Sequence, residues 1–235
     1  MLNRISNNFT RRRLSQTLRS GLCVLLMTQA YAARAQTAPR SDTQSWHDVQ
    51  LTLPLHRRFD FLINTQFRAG NNLRQFIDER GGFGLNYKPS KYLTLSPSYF
   101  YAAMQQSVTR RRSHENRLSF AATITSPKLK AFTFTDRNLF ERRMRSFAAD
   151  ATRYRNRVQV EHPARIHDFK FNVVVSDEVF YDSSVRAWSR NRFQIGMNRR
   201  LNKHLTGEVY YMHQSDAVAT PGDLDIIGTV LRFRL

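Results

Sequence analysis

The stretch Trp188–Gln214, WSRNRFQIGMNRRLNKHLTGEVYYMHQ, carries the reading of the whole chain. Phe193, Ile195 and Met197 alternate with Arg192, Gln194 and Asn198; a tight connection follows at residues 201–204, and then Leu205, Val209 and Tyr211 alternate with Thr206, Glu208 and Tyr210. Successive side chains of a strand point to opposite faces, so this is a β-hairpin with one apolar face and one face of Arg, Gln, Asn and Glu.

The same rhythm runs outward from it in both directions. Residues 46–53 set Val49, Leu51 and Leu53 against Asp48, Gln50 and Thr52, and residues 59–68 set Phe59, Phe61, Ile63 and Phe67 against Asp60, Asn64, Gln66 and Arg68. Residues 80–88 offer Phe83, Leu85 and Tyr87, and residues 92–103 offer Leu93, Leu95, Tyr99 and Tyr101. Pro97 cannot donate a ladder hydrogen bond, so a bulge is expected there. Residues 114–125, 153–161, 169–180 and 224–235 alternate in the same way. Residues 131–143 are the least regular, because Leu139 falls on the face of Arg137, Glu141 and Arg143. Helical spacing is nowhere sustained and turn signals recur, which predicts an all-β antiparallel meander.

A soluble sandwich of two sheets would alternate too. The segments, however, approach the roughly 9–11 residues that a tilted membrane strand requires, against about 5–6 in soluble proteins. Short connections (54–58, 89–91, 126–130, 202–204) alternate with longer ones (69–78, 105–112, 144–151, 181–189, 215–223), as periplasmic turns and external loops do. Trp46, Tyr87, Tyr92, Tyr99, Tyr101, Tyr154, Trp188, Tyr210 and Tyr211 lie at or near strand ends, where interface girdles would place them. The fold expected is an up-and-down transmembrane β-barrel. Eleven strand candidates are legible, and because bacterial single-chain barrels have even numbers, the reading favours twelve strands, with ten as the alternative.

Compartment follows from the first residues. Residues 1–19 hold Arg4, Arg11, Arg12, Arg13 and Arg19 without an acid, residues 22–33 are mostly apolar, and Ala33-Arg34-Ala35 fits a small-x-small cleavage site. Residues 1–35 are therefore expected to be a secretory signal, residues 36–45 a flexible lead-in, and the barrel domain to occupy 36–235. Cys23, the only cysteine, lies inside that signal, so disulfide and thiol chemistry are not expected in the mature chain. The formal charge of +19 falls to +13 once the six signal arginines are removed, leaving 31 basic against 18 acidic side chains. A basic excess points to nucleic acid in a cytoplasmic protein; behind a secretory signal it points instead to lipopolysaccharide or an anionic solute.

Taken together, Trp46, Pro54-Leu55, Arg68, Tyr99-Phe100-Tyr101, Glu115-Asn116-Arg117, Arg137 with Glu141 and Arg143, the Arg153-Arg155-Arg157 row, Glu178 and Phe180, Asn191-Arg192 to Gly196, and Tyr211-Met212-His213-Gln214 resemble a bacterial outer-membrane-barrel family of unknown function (DUF2490-like). The resemblance spans residues 46–235 and implies a fold and a location without an activity. The final strand, with Gly228, Leu231, Phe233 and Leu235, resembles the C-terminal signal read by barrel-insertion machinery. Outer-membrane lipid, lipopolysaccharide and that machinery are the expected partners of a monomer, and no cofactor is expected.

Assigning the apolar face to lipid turns Arg68, Arg80, Glu115, Arg117, Arg137, Glu141, Arg143, Arg153, Arg155, Arg157, Glu161, Glu178, Arg192, Glu208, Arg232 and Arg234 into the lumen. Crossing Arg–Glu pairs can fill a narrow barrel with a satisfied network. Alternatively, an arginine surplus could line a narrow anion-selective channel for acidic solutes or oligosaccharides. The third reading is a hydrolase at the rim, where a Ser must meet a His. His114 near Ser113 and His213 near Ser215 are the candidates, but adjacent residues of a strand face opposite ways, so no catalytic constellation is expected. His47, His56, His114, His162, His167, His204 and His213 show no metal-ligand spacing.

Overall fold

A computed structural model describes residues 41–105 and 111–235; the expected secretory signal and the first half of the expected lead-in lie outside the described residues. Eleven strands make up the described chain: β1 (Ser41–His56), β2 (Phe59–Gly70), β3 (Gln75–Tyr87), β4 (Leu93–Gln105), β5 (Arg112–Thr125), β6 (Thr133–Arg145), β7 (Ala151–Ile166), β8 (Phe169–Asp182), β9 (Ala187–Arg200), β10 (Leu205–Asp216) and β11 (Asp223–Arg234). Each pairs with its sequence neighbours and the sheet closes on itself as a barrel.

Closure corrects the expected strand number. An odd count makes the first and last strands run the same way, and β1 and β11 pair in parallel, from Ser41 opposite Asp223 to Thr52 opposite Arg234. All other pairs are antiparallel. Because β1 bonds β11 on one side and β2 on the other, no edge remains for a twelfth strand, and β1 is part of the ring rather than outside it. Residues 41–45, expected in the lead-in, are the first residues of β1 and pair with residues 223–227 in that seam.

Strands run 12–16 residues, longer than the alternation of apolar residues suggests, so the connections shrink. At one end lie residues 57–58, 88–92, 126–132, 167–168, 201–204 and Leu235, here called the turn end. At the other lie 71–74, 146–150, 183–186 and 217–222, with the end of β4 and the start of β5, the loop end. The expected contrast between short and long connections is therefore small. At the loop end, the Asp42 carboxylate accepts the N–H groups of Asn71 (3.1 Å) and Asn72 (2.7 Å), holding three consecutive left-handed residues, Asn71, Asn72 and Leu73.

Pro97 makes no bulge. The β3–β4 ladder instead skips from Gly84–Ser98 to Tyr87–Leu95 in unchanged register, and Ser96 Oγ donates to Asn86 Oδ1 at 2.6 Å across the gap.

Alternation gives every strand an outward and an inward face. Outward stand Phe83, Leu118, Phe120, Val158, Phe193, Ile195, Val209, Ile227 and Leu231, all exposed. Inward, the barrel is not uniformly polar: Trp46, Tyr210, Met212, Leu224, Ile226 and Val230 form a buried cluster beside the β1–β11 seam. This removes Trp46 and Tyr210 from the expected girdle; Tyr154 and Trp188 remain outward and in ring contact, with Tyr181 on the other side of Trp188. Tyr210 fits because both of its register partners are glycine, Gly196 on β9 and Gly228 on β11, and a Cβ at either would overlap it. Gly228 thus serves packing, whereas Leu231, Phe233 and Leu235 follow the outward face of the last strand.

Candidate functional site

Inward-facing residues of β2 to β9 bring together most of the charged set read from sequence. Glu115 is fully buried and is the acceptor of two arginines: Arg117 from its own strand (Nε 3.0 Å, Nη2 3.3 Å) and Arg143 from β6 (Nε 2.5 Å, Nη2 3.1 Å). Arg143 reaches Asp182 as well, at 3.1 Å. Glu141 pairs with Arg153, its register partner on β7, and lies 3.7 Å from Arg155. Glu178 collects Arg155 (2.8 and 2.9 Å from Nη2, 3.1 Å from Nε), Arg137 (3.3 Å) and Arg192 (3.9 Å). Lower in the barrel, Arg232 pairs with Glu208 at 2.7 Å, and Glu208 also accepts from Gln194 at 3.0 Å.

An aromatic ring forms the centre of this network. Phe180 is 1% exposed and the guanidinium carbons of Arg153, Arg155, Arg190 and Arg192 lie 4.6–5.5 Å from its ring centroid. Trp46 does the same for Arg68 (3.6 Å) and Arg192 (4.9 Å). Cation–π contact partly replaces the water that these guanidinium groups lose on burial.

The expected surplus of arginine over carboxylate is largely made up by aspartates. Asp78 pairs with Arg80 and lies 3.6 Å from Arg68; Asp216 accepts Arg190 Nε at 2.5 Å; Asp60 holds Lys88 and Arg234 (3.1 Å) at the turn end; Asp48 accepts Gln66 at 3.4 Å. Asp78, Asp182 and Asp216 were missed because they fall in segments read as loops. Strand alternation carried on past the last apolar residue would have found them. Two residues of the charged set stay outside the network: Glu161 and Arg157 face the interior with no oppositely charged group within 4.0 Å among the described residues.

Of the serine–histidine candidates, His114 and Ser113 point to opposite faces as expected, with His114 outward against Tyr101. Ser215 and His213 are two residues apart and share the outward face, with Ser215 Oγ 3.3 Å from His213 Nε2, which corrects the expectation for that pair. No group of three or more metal-binding side chains occurs among the described residues.

Comparison with known proteins places these features in context. A family model described as "Protein of unknown function (DUF2490)" matches residues 43–225. No curated protein sequence matches. Among solved structures, LpxR from Salmonella typhimurium is similar at 9% identity and a TM-score of 0.45, over 75% of this chain and 83% of that one. An anion-selective porin from Comamonas acidovorans is similar at 11% identity and a TM-score of 0.37, over 77% of this chain and 54% of that one. The siderophore receptor PirA from Pseudomonas aeruginosa shows 13% identity and a TM-score of 0.28, over 70% and 32%. This chain thus spans about half the length of the porin and a third of that of the receptor.

Proposed function

Because the chain belongs to the DUF2490 family of proteins of unknown function, its role has to come from its own geometry, and we propose that it is an outer-membrane β-barrel whose lumen is a sealed structural core rather than a pore. One observation carries this reading: every one of the eleven strands turns at least one buried side chain inward, namely Trp46, Arg68, Asp78, Ala102, Glu115, Glu141, Arg153, Phe180, Arg192, Gln214 and Ile226. Buried inward groups on every strand support a filled cross-section. Partners are also paired in charge, so the interior offers an entering anion few free guanidinium groups. Such a lumen supplies the paired polar packing that a narrow barrel can use in place of an apolar core.

Membrane insertion rests on the outward face. An apolar outer wall on a closed sheet has no unpaired backbone edge, which is the condition for spanning hydrocarbon with strands. The loop end then faces outside and the turn end the periplasm. Lipid and lipopolysaccharide would contact the wall, and work on a substrate falls to the outer surface.

Arg157 favours the second reading, a narrow anion path, because it faces the interior opposite Glu178 of β8 yet makes no ion pair within 4.0 Å among the described residues. Single-channel recording of the purified protein in a planar lipid bilayer separates the two. A sealed barrel passes no current; a steady anion-selective conductance that falls on Arg157→Glu overturns the sealed core and establishes the path.

A further inference from the structure

The outward face at the loop end carries a constellation that the sealed lumen leaves unexplained. His213 and Ser215, at i and i+2 on β10, point the same way, and the register sets Asp225 of β11 directly opposite His213. His213 Nδ1 lies 3.0 Å from Asp225 Oδ1, and His213 Nε2 lies 3.3 Å from Ser215 Oγ. Tyr211, two residues before His213, donates its hydroxyl to the same Asp225 oxygen at 2.6 Å. With Asp225 accepting from Nδ1, the Nε2 lone pair faces the serine hydroxyl, which is the tautomer a general base needs.

A second serine–histidine pair on the same wall serves as an internal comparison. Ser45 Oγ lies 2.6 Å from His47 Nε2, but His47 Nδ1 meets only the hydroxyl of Thr229, at 2.8 Å. A hydroxyl cannot balance the imidazolium that proton abstraction creates; a carboxylate can. Only the β10 pair has one.

We propose that Ser215, His213 and Asp225 form a hydrolytic site for the acyl ester of a membrane lipid. The placement selects that substrate class and rests on the membrane reading above. The triad faces outward, not into the lumen, and immediately toward the turn end the wall becomes apolar at Val209 and Ile227. In a bilayer, that boundary is where acyl chains meet their ester linkages. Ser215 also borders an open pocket of about 650 Å³ at the loop end, lined in part by Val179, Trp188, Asn191 and Ala217. Asn191 stands opposite Ser215 across the β9–β10 ladder, with its amide donating to the Asp177 carboxylate of β8 at 2.9 and 3.1 Å.

The chemistry balances without a further reagent. Ser215 Oγ bonds to the carbonyl carbon as its proton passes to His213 Nε2; the carbon–oxygen bond to the alcohol then breaks, and the same proton leaves with that alcohol. Water attacks the resulting acyl-serine, gives its proton to His213 Nε2, and releases the fatty acid as the proton returns to Ser215 Oγ. Asp225 does not touch the substrate; it is a positioning residue that holds the imidazole.

The test uses the folded full barrel, with its folding checked independently by heat-dependent gel mobility and its membrane insertion by flotation with vesicles. In detergent, an alkyl fluorophosphonate should form one covalent adduct, on the peptide containing Ser215, and p-nitrophenyl acyl esters should be hydrolysed. Ser215→Ala and His213→Ala should each lower turnover by about 10³-fold or more, while Ser45→Ala leaves it unchanged. Asp225→Asn should lower kcat, leave KM unchanged and shift the pH profile, which a purely structural residue would not do. Fatty acid freed from phosphatidylethanolamine vesicles identifies a glycerophospholipid as the source of the ester; fatty acid freed from lipopolysaccharide identifies an acylated sugar. Folded protein that takes no adduct and cleaves neither ester, or hydrolysis that survives Ser215→Ala, overturns the proposal. Because the detergent assays need no bilayer, a failure of flotation alone refutes the membrane reading and leaves the catalytic one to its own result.

Discussion

Arg155 and Arg157 stand two residues apart on β7 and face the same interior, yet their removal should have unlike consequences. Arg155 gives Glu178 three hydrogen bonds between 2.8 and 3.1 Å and lies 3.7 Å from Glu141. Breaking a buried pair by deleting one partner costs about 3–5 kcal/mol, because the other charge stays buried. Glu178 would keep Arg137 at 3.3 Å and Arg192 at 3.9 Å, so Arg155→Ala belongs at the lower end, about 3 kcal/mol. Arg155→Glu should do more harm. It sets a third carboxylate beside Glu141 and Glu178, each repelling it by roughly 4 kcal/mol for charges 4 Å apart at an effective dielectric of 20. Arg157 makes no ion pair that close, and in register it stands between a like charge, Arg137 on β6, and a carboxylate, Glu178 on β8. The repulsion from Arg137 offsets the attraction of Glu178, so Arg157→Ala should cost less than about 1 kcal/mol. Reversible urea unfolding in lipid vesicles measures all three, followed by tryptophan fluorescence and by the gel mobility of the folded form. Equal losses for Arg155→Ala and Arg157→Ala would refute the pairing described for the lumen.

Other expectations follow from facing and packing. Val173 points outward on β8 and Asn172 inward, where it donates to Asn198 at 3.0 Å; Val173→Arg should cost about 2–4 kcal/mol near the bilayer midplane, while Asn172→Arg assembles, both scored by the yield of heat-modifiable protein. Gly228→Ala forces a methyl group into the Tyr210 ring and should destabilise by about 1–3 kcal/mol, with much of the loss recovered in the Gly228→Ala/Tyr210→Ala pair when midpoints of urea unfolding are compared. Expressed in a Gram-negative cell, the protein should fractionate with the outer membrane and not with the soluble periplasm, as read by sucrose-gradient sedimentation.

What the sequence determined by itself was set by a local rule. Alternation of side chains along a strand is decided within a few residues, so the inward row of Arg153, Arg155 and Arg157, the outward row of Phe169, Phe171 and Val173, and even the misfit of Leu139 on the inward face of β6 were legible in order. The rule fades at strand ends, where apolar residues stop, and so Asp78, Asp182 and Asp216 were lost to loops although they complete the charge pairing of the lumen. Nothing local states how a sheet closes. Eleven strands and a parallel seam follow from the meeting of residues 41–52 with residues 223–234, and that depends on the stagger of the whole barrel. Cross-strand register has the same origin. Only when β10 and β11 pair does Asp225 come to His213; only when β8 pairs with β7 on one side and β9 on the other do four arginines surround Phe180. Residues that lie far apart along the chain, or on neighbouring strands joined by a loop, meet at a distance that the chain's alternation does not encode, and the partners of each charge were therefore left to the tertiary structure.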